Sequence, residues 1–252
     1  MRWLRSLLFN LCFFLWTALA SVLGLPILLL PRAAVVRFAR FWARGVLVLL
    51  AVIVGLRHEL RGREHRPAGA AILAFKHQSA WDTIALTLLV EDPMIVLKRE
   101  LLAIPLFGWY LARTGQIAVD RRGQAAALKH MLRKAAAGAA QGRPIVIFPE
   151  GTRVAPGQHR PYQPGVAALY RHLGLPVVPV ALNSGFFWGR RRFLKRPGVI
   201  AVEFLPVIAP GLSRRDFLAE LERRTESACA RLAAEIEGTG ASDGSAPRQA
   251  LG

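Results

Sequence analysis

Polar and apolar positions change their spacing several times along this chain. Residues 6–31 carry no charge and run through LLFNLCFFLW and LGLPILLL. As a helix the stretch would reach about 39 Å, enough to cross a hydrocarbon core of about 30 Å. Asn10 and Pro26 are its weak points. Residues 31–44 set Arg32, Arg37, Arg40 and Arg44 among Val, Phe and Trp, a basic amphipathic pattern suited to anionic headgroups. Residues 45–56 (GVLVLLAVIVGL) are apolar again. At about 18 Å this run is too short to span a membrane, and it reads as an interfacial or buried helix.

From about residue 67 the rhythm changes to short β-branched runs between longer helical ones. The predicted strands are residues 70–75, 94–97, 116–119, 144–148, 177–182 and 199–204. The predicted helices are residues 83–90, 101–112, 124–141, 165–173 and 214–237, the longest two with apolar residues at i, i+3, i+4 spacing. Strands alternating with helices imply an α/β fold with a mixed, mainly parallel sheet flanked by helices. Pro179, inside the run VVPVAL, points to an edge strand or a bulge. Residues 238–252 are small and polar and read as a disordered tail. The domain reading is therefore a membrane-anchoring helical segment over 1–58, an α/β domain over 59–237 and a tail over 238–252.

Composition sharpens the first of these. The 252 residues are 53% hydrophobic and 20% charged, with a net charge of +18. That excludes a disordered chain, and points to a protein held against an anionic surface. Arginine outnumbers lysine 29 to 5, a bias that fits either genomic composition or phosphate recognition. Seven of the arginines and no acidic residue lie in residues 1–58. A cleavable signal peptide is one reading, with Arg2 and Arg5 as its basic start and Ala18-Leu19-Ala20 as its cleavage site; the apolar run continuing to Leu30 argues against it. A hairpin crossing twice would put four arginines outside, against the positive-inside tendency. The preferred arrangement is one span or two interfacial helices, with the rest of the chain on the cytoplasmic side of the inner membrane. Nucleic acid is not an expected partner, because no zinc-finger, RNP1-like or basic-heptad signature is present. Cys12 and Cys229 form no disulfide framework or zinc spacing.

Four segments carry candidate chemistry. Lys76-His77-Gln78-Ser79-Ala80-Trp81-Asp82 follows the first strand. In a continuous helix His77 and Asp82 would diverge, so they meet only if His77 is on the loop and Asp82 in the first turn. Ser79-x-x-Asp82 has the form of a capping box, which allows that geometry. Asp82 could then merely cap, or it could orient His77 as a general base. With no paired Ser or Cys nucleophile, direct attack by a substrate hydroxyl is favoured over a covalent enzyme intermediate. Phe148-Pro149-Glu150-Gly151-Thr152-Arg153 ends another strand, where α/β sheets bind ligands. It is either a tight turn with a solvated Arg or a phosphate site. GQIAVDRR (115–122) ends a strand in Asp120, Arg121 and Arg122, as a local ion pair or a further phosphate contact. VVPVALN (177–183) alone reads as a core strand.

Taken in order, these four segments resemble the motifs of the glycerolipid acyltransferase family, most closely its bacterial lysophosphatidic acid branch. HQSAWD, GQIAVDR, FPEGTR and VVPVAL are similar to its first to fourth motifs, and the match covers about residues 67–183. Val154 departs from the pattern, where members often carry Ser. The resemblance implies that His77 deprotonates the free hydroxyl of 1-acylglycerol 3-phosphate, which attacks the thioester of acyl-CoA or an acyl carrier protein and yields phosphatidic acid. Asp82 would hold His77. Glu150, Gly151, Thr152 and Arg153 would bind the acceptor, with Arg121 and Lys98 adding positive charge. It implies no metal or prosthetic group. Residues 101–110 would line an acyl channel or form an ordinary core helix. Another lysolipid, such as a lyso-aminolipid, or glycerol 3-phosphate is an alternative acceptor, and a non-enzymatic membrane-surface protein an alternative class.

Overall fold

All six expected runs form strands, and a seventh joins them. In the computed structural model, which describes residues 1–67 and 69–241, the strands are β1 (Leu56–Arg61), β2 (Ile72–Phe75), β3 (Met94–Lys98), β4 (Ile117–Val119), β5 (Ile145–Ile147), β6 (Val177–Leu182) and β7 (Gly198–Phe204). They make one sheet in the order β1-β7-β6-β2-β5-β3-β4. β6, β2, β5, β3 and β4 run parallel, β7 is antiparallel to β6, and β1 lies parallel to β7. The sheet is mixed and mainly parallel, as expected. β1 escapes sequence reading because LRHELR alternates poorly and is largely exposed, a charged edge that resists further pairing. It starts at Leu56, inside the expected anchor segment.

Pro179 corrects the edge-strand expectation. β6 lies between β7 and β2, and Pro179 pairs with Ala74. Its carbonyl accepts from Leu205 N at 2.9 Å, just past the terminal β7 pair Val180–Phe204. The missing N–H therefore falls where that ladder stops, and costs no bond inside it.

Among the described residues, seven α-helices flank the sheet: α1 (Arg2–Leu23), α2 (Arg32–Leu49), α3 (Ala80–Leu89), α4 (Phe107–Arg113), α5 (Gln124–Ala139), α6 (Pro164–Leu173) and α7 (Arg214–Ala241). Strand alternation divides the core. Leu73 and Phe75 of β2 pack with α1, α2 and α3 through Phe9, Val46, Leu50, Trp81 and Leu86. Ile72 and Ala74 face the other way, toward Met131, Val166, Leu169, Phe217 and Leu221 of α5, α6 and α7. The tail expected over 238–252 begins inside α7; residues 242–252 lie outside the described residues.

The N-terminal helices are part of this core. The basic stretch and the second apolar run form one helix, α2, prolonged by a π turn (Leu50–Val54) and ended by Gly55 at φ 78°, a left-handed geometry that favours glycine. Two of its four arginines do not face outward. Arg32 pairs with Asp92, and Arg40 Nη1 donates to Thr87 O at 2.8 Å. On α1, Trp16 Nε1 donates to Trp42 O at 3.0 Å, and Ser6 is fully buried. α1 is long and apolar enough to cross a membrane by length and composition, with most of its surface exposed.

The helix expected over 101–112 is broken. A 3-10 segment (Arg99–Ala103) precedes Pro105 and Leu106, the latter at φ 62°, before α4 begins. Leu101, Ile104, Phe107 and Trp109 are more than one-third exposed, so this is a surface patch and not core. It abuts α1 and α2: Tyr110 Oη donates to Ser21 O at 2.8 Å, and its ring lies 5.4 Å from that of Phe38.

Candidate active site

Register brings the carboxyl ends of β2, β5, β3 and β4 to one edge. Lys76 and His77 follow β2, residues 148–153 follow β5, Lys98 ends β3, and Arg121 lies two residues past β4. The first three motifs, far apart in sequence, therefore emerge at the same sheet edge, where open α/β sheets bind ligands.

The capping box forms. Trp81 N donates to Ser79 Oγ at 3.1 Å, and Ser79 N to Asp82 Oδ2 at 2.8 Å. Capping is only part of the carboxylate's work. The same oxygen accepts from Gln78 N at 2.7 Å and meets His77 Nδ1 at 2.9 Å. Asp82 Oδ1 accepts from Ser184 Oγ at 2.5 Å. A fully buried carboxylate with four donors aimed at it is fixed in place, and with it the imidazole. With Nδ1 engaged as donor, Nε2 is the nitrogen left to take a proton. It makes no hydrogen bond among the described residues. The ring stacks on Phe148, centroids 4.0 Å apart, and 12% of the side chain reaches solvent. The arrangement has the geometry that a general base and its orienter require, with one face of the imidazole covered.

Glu150 departs from the sequence expectation. The motif places it among acceptor contacts, yet its carboxylate turns inward and is 1% exposed. Oε1 lies 2.7 Å from Lys76 Nζ as an ion pair, and Oε2 accepts from His77 N at 3.2 Å. Lys76 Nζ also donates to both oxygens of Glu226 on α7, at 2.7 and 2.9 Å, and Tyr162 Oη donates to Glu226 Oε1 at 3.0 Å. Burial pushes the Glu150 carboxyl above the usual carboxylate range, against the pull of Lys76. Lys76 loses stability to burial but is held above its ordinary value by Glu150 and Glu226. A carboxylate so engaged offers nothing to an anionic lipid; it supports the backbone of the His77 loop.

The rest of that motif is less buried. Gly151 turns at φ 68°, with its N–H on Phe148 O at 2.9 Å. Thr152 and Arg153 are half-buried, and Arg153 has no carboxylate partner among the described residues. Val154, the departure from the family pattern, is buried and uses its backbone: Val154 N donates to His77 O at 2.8 Å. A serine would make the same bond, so the change leaves this clamp intact. Lys98 is exposed, and Arg121 opens a 3-10 turn whose Asp120 cap accepts from Arg122 N at 3.0 Å; the Arg121 side chain lies outside the described part.

Sequence reading missed Ser184, Gln78 and Glu226. Ser184 and Gly185 follow β6, so the fourth motif serves the first: Gly185 N donates to Gln78 Oε1 at 3.0 Å. A run of six buried residues ending at Leu182 signalled a core strand, and only the sheet order shows where it points. Cys229, under β6, is inert, its thiol pushed up to about 12 by burial.

Residues 57–183 match the family model described as Acyltransferase. The chain is 38% identical over 239 residues to the 1-acyl-sn-glycerol-3-phosphate acyltransferase of Pseudomonas aeruginosa, covering 92% of this chain and 91% of that one. The enzyme of the same name from Salmonella typhimurium is 29% identical over 196 residues, 75% of this chain and 77% of its own. Among solved structures, the 1-acyl-sn-glycerophosphate (LPA) acyltransferase PlsC of Thermotoga maritima superposes with a TM-score of 0.76 at 20% identity, covering 93% of this chain and 98% of that one. At that identity the likeness is one of fold.

Proposed function

This chain belongs to the acyltransferase family, and from that premise we propose that it acylates the free hydroxyl of 1-acyl-sn-glycerol 3-phosphate to give phosphatidic acid. The observation that carries the reading is the His77–Asp82 pair at 2.9 Å, with Nε2 making no hydrogen bond among the described residues. His77 Nε2 takes the hydroxyl proton as the oxygen attacks the thioester carbonyl of acyl-CoA or an acyl carrier protein. The tetrahedral intermediate collapses, the carbon–sulfur bond breaks, and the proton on His77 passes to the departing thiolate. Asp82 keeps the imidazole aligned through both transfers. General-base help of this kind is worth about 10²–10⁴-fold. Thr152 and Arg153 receive the acceptor phosphate, with Lys98 and Arg121 adding charge at the same sheet edge; Arg suits the fork geometry of phosphate oxygens.

The reading includes a membrane-bound enzyme on the cytoplasmic face of the inner membrane, held by α1 and α2. Interfacial helices fit better than a span, since Ser6 and Phe9 of α1 are packed into the domain. The decisive experiment is free-thiol release from acyl-CoA with and without lysophosphatidic acid. Release that requires the lysolipid, and that drops at least about 100-fold in His77→Ala, supports it. Near wild-type turnover in that variant would overturn the assignment. A panel with glycerol 3-phosphate and lyso-aminolipids identifies the acceptor.

A further inference from the structure

We propose that the loop over residues 189–196 (GRRRFLKR) is a docking element for anionic phospholipid bilayers, set between the membrane-facing helix α1 and the candidate active site. The proposal rests on the membrane reading above and adds to it a specific surface and lipid charge. The loop connects the Ser184 turn to β7. Arg190, Arg191, Arg192 and Arg196 are all exposed. The arginine–carboxylate pairs of the described residues all lie elsewhere. Four neighbouring guanidinium groups without acidic partners make a strong positive field that a polyanion would satisfy.

Apolar side chains in the same loop separate a bilayer from a nucleic acid as that polyanion. Phe193 is 42% and Leu194 48% exposed, and the Phe193 ring lies 5.6 Å from that of Trp3, itself 60% exposed. From there the exposed apolar surface continues along α1 through Leu4, Leu7, Leu8 and Leu11. Apolar groups framed by arginine match the headgroup–acyl boundary, where the former enter and the latter stay at the phosphates. Phosphates without acyl chains would leave that surface in water.

Two anchors hold the loop rigid. Lys195 N donates to Ser6 Oγ at 3.0 Å, and Lys195 Nζ to Asn10 Oδ1 at 2.5 Å, which ties the loop to α1. Arg190 Nη1 donates to Arg153 O at 3.1 Å, which ties it to the turn expected to hold the acceptor phosphate. Docking on this face therefore sets the candidate active site close to the bilayer from which a lysolipid is drawn.

The test uses the full-length protein and co-sedimentation with vesicles of phosphatidylcholine alone or mixed with phosphatidylglycerol. The variant is Arg191→Asn/Arg192→Gln/Arg196→Gln; Asn suits position 191, which has φ 57°. At roughly fivefold per arginine, partition onto the anionic vesicles falls by about 100-fold, while partition onto phosphatidylcholine changes little. The triple Lys variant at the same positions restores most of the binding. Thiol release with lysophosphatidic acid in neutral detergent micelles stays at the wild-type rate, which reports an intact fold. Unchanged partition onto anionic vesicles would overturn the proposal, as would an equal loss on both vesicle types. Loss of oligonucleotide binding with vesicle binding kept would overturn it in favour of nucleic acid. A wild-type protein that docks through these arginines but releases no thiol would refute the acyltransferase reading and leave the docking surface supported.

Discussion

Lys76 Nζ and Glu150 Oε1 lie 2.7 Å apart with only 2% and 0% of their side chains exposed, directly behind the backbone of His77. A buried pair of this kind is costly to break by halves, because the remaining charge has no water to turn to. Lys76→Met strands Glu150 and is expected to cost about 3–5 kcal/mol in denaturant unfolding. Adding Glu150→Gln returns at least half of that loss, since the amide oxygen still accepts from His77 N. Additive losses in the two single variants and the double would show that the pair does not act as a unit.

Ser184→Ala removes one of four donors from Asp82. A hydrogen bond to a charged group contributes about 1.5–3 kcal/mol, so kcat is expected to fall by about 10–100-fold. KM for the lysolipid should stay within about twofold, because Ser184 acts through Asp82 and not on the acceptor. Ser184→Thr, which keeps the hydroxyl, should recover part of the rate. An unchanged kcat in the alanine variant would assign Ser184 to packing alone.

Arg153→Ala should behave in the opposite sense. Loss of a ground-state phosphate contact raises KM for the acceptor by about 10–100-fold with little change in kcat. Arg153→Lys recovers only part, since an ammonium lacks the guanidinium fork. A collapsed kcat at constant KM would move Arg153 to the transition state. Steady-state kinetics over acceptor concentration separates the two.

Lys195 makes a pH dependence testable. Its ammonium group is buried without a carboxylate partner, and burial holds its pKa down to about 8 from an ordinary 10.5. The rings of Phe9, Trp188 and Phe193, 5.2 to 5.6 Å away, favour the charged form but do not outweigh burial. Between about pH 8 and 10.5 the unfolded chain holds a proton that the folded chain has released. Stability therefore rises with pH through that window, by at most about 1.4 kcal/mol per pH unit. Unfolding of wild type and Lys195→Met in detergent over that range measures it: the difference between them should slope. Parallel curves would show that the lysine does not titrate there.

Much of the candidate site was legible because its signals are local. His77 and Asp82 are five residues apart, and the Ser79 cap between them dictates how the chain must turn for them to meet. The strands at 72–75, 145–147 and 177–182 are apolar on both faces, as a covered parallel sheet requires. The turn of FPEGTR needs a glycine at a positive φ, and Gly151 supplies it. Glu150 was misread for a related reason. Its neighbours Gly151, Thr152 and Arg153 are partly exposed, but its own environment comes from Lys76, 74 residues earlier, and Glu226, 76 later. The loop over 189–196 passed unremarked because its meaning lies in what it touches on α1.

By itself, then, the sequence determined the periodicities, the helix caps, the excess of arginine and the order of the four motifs, all set by residues within a turn or a strand of one another. The tertiary structure decided what depends on distant chain meeting: that β1 extends the sheet, that Pro179 is tolerated in its interior, that Ser184 completes the hydrogen bonds of Asp82, and that Glu150 faces inward. It also turned Asn10, a weak point of the apolar run, and Ser6, at the start of that run, into the points where α1 is fastened to Lys195. Polar groups in an apolar helix are costly unless a partner meets them, and whether one does is fixed by packing.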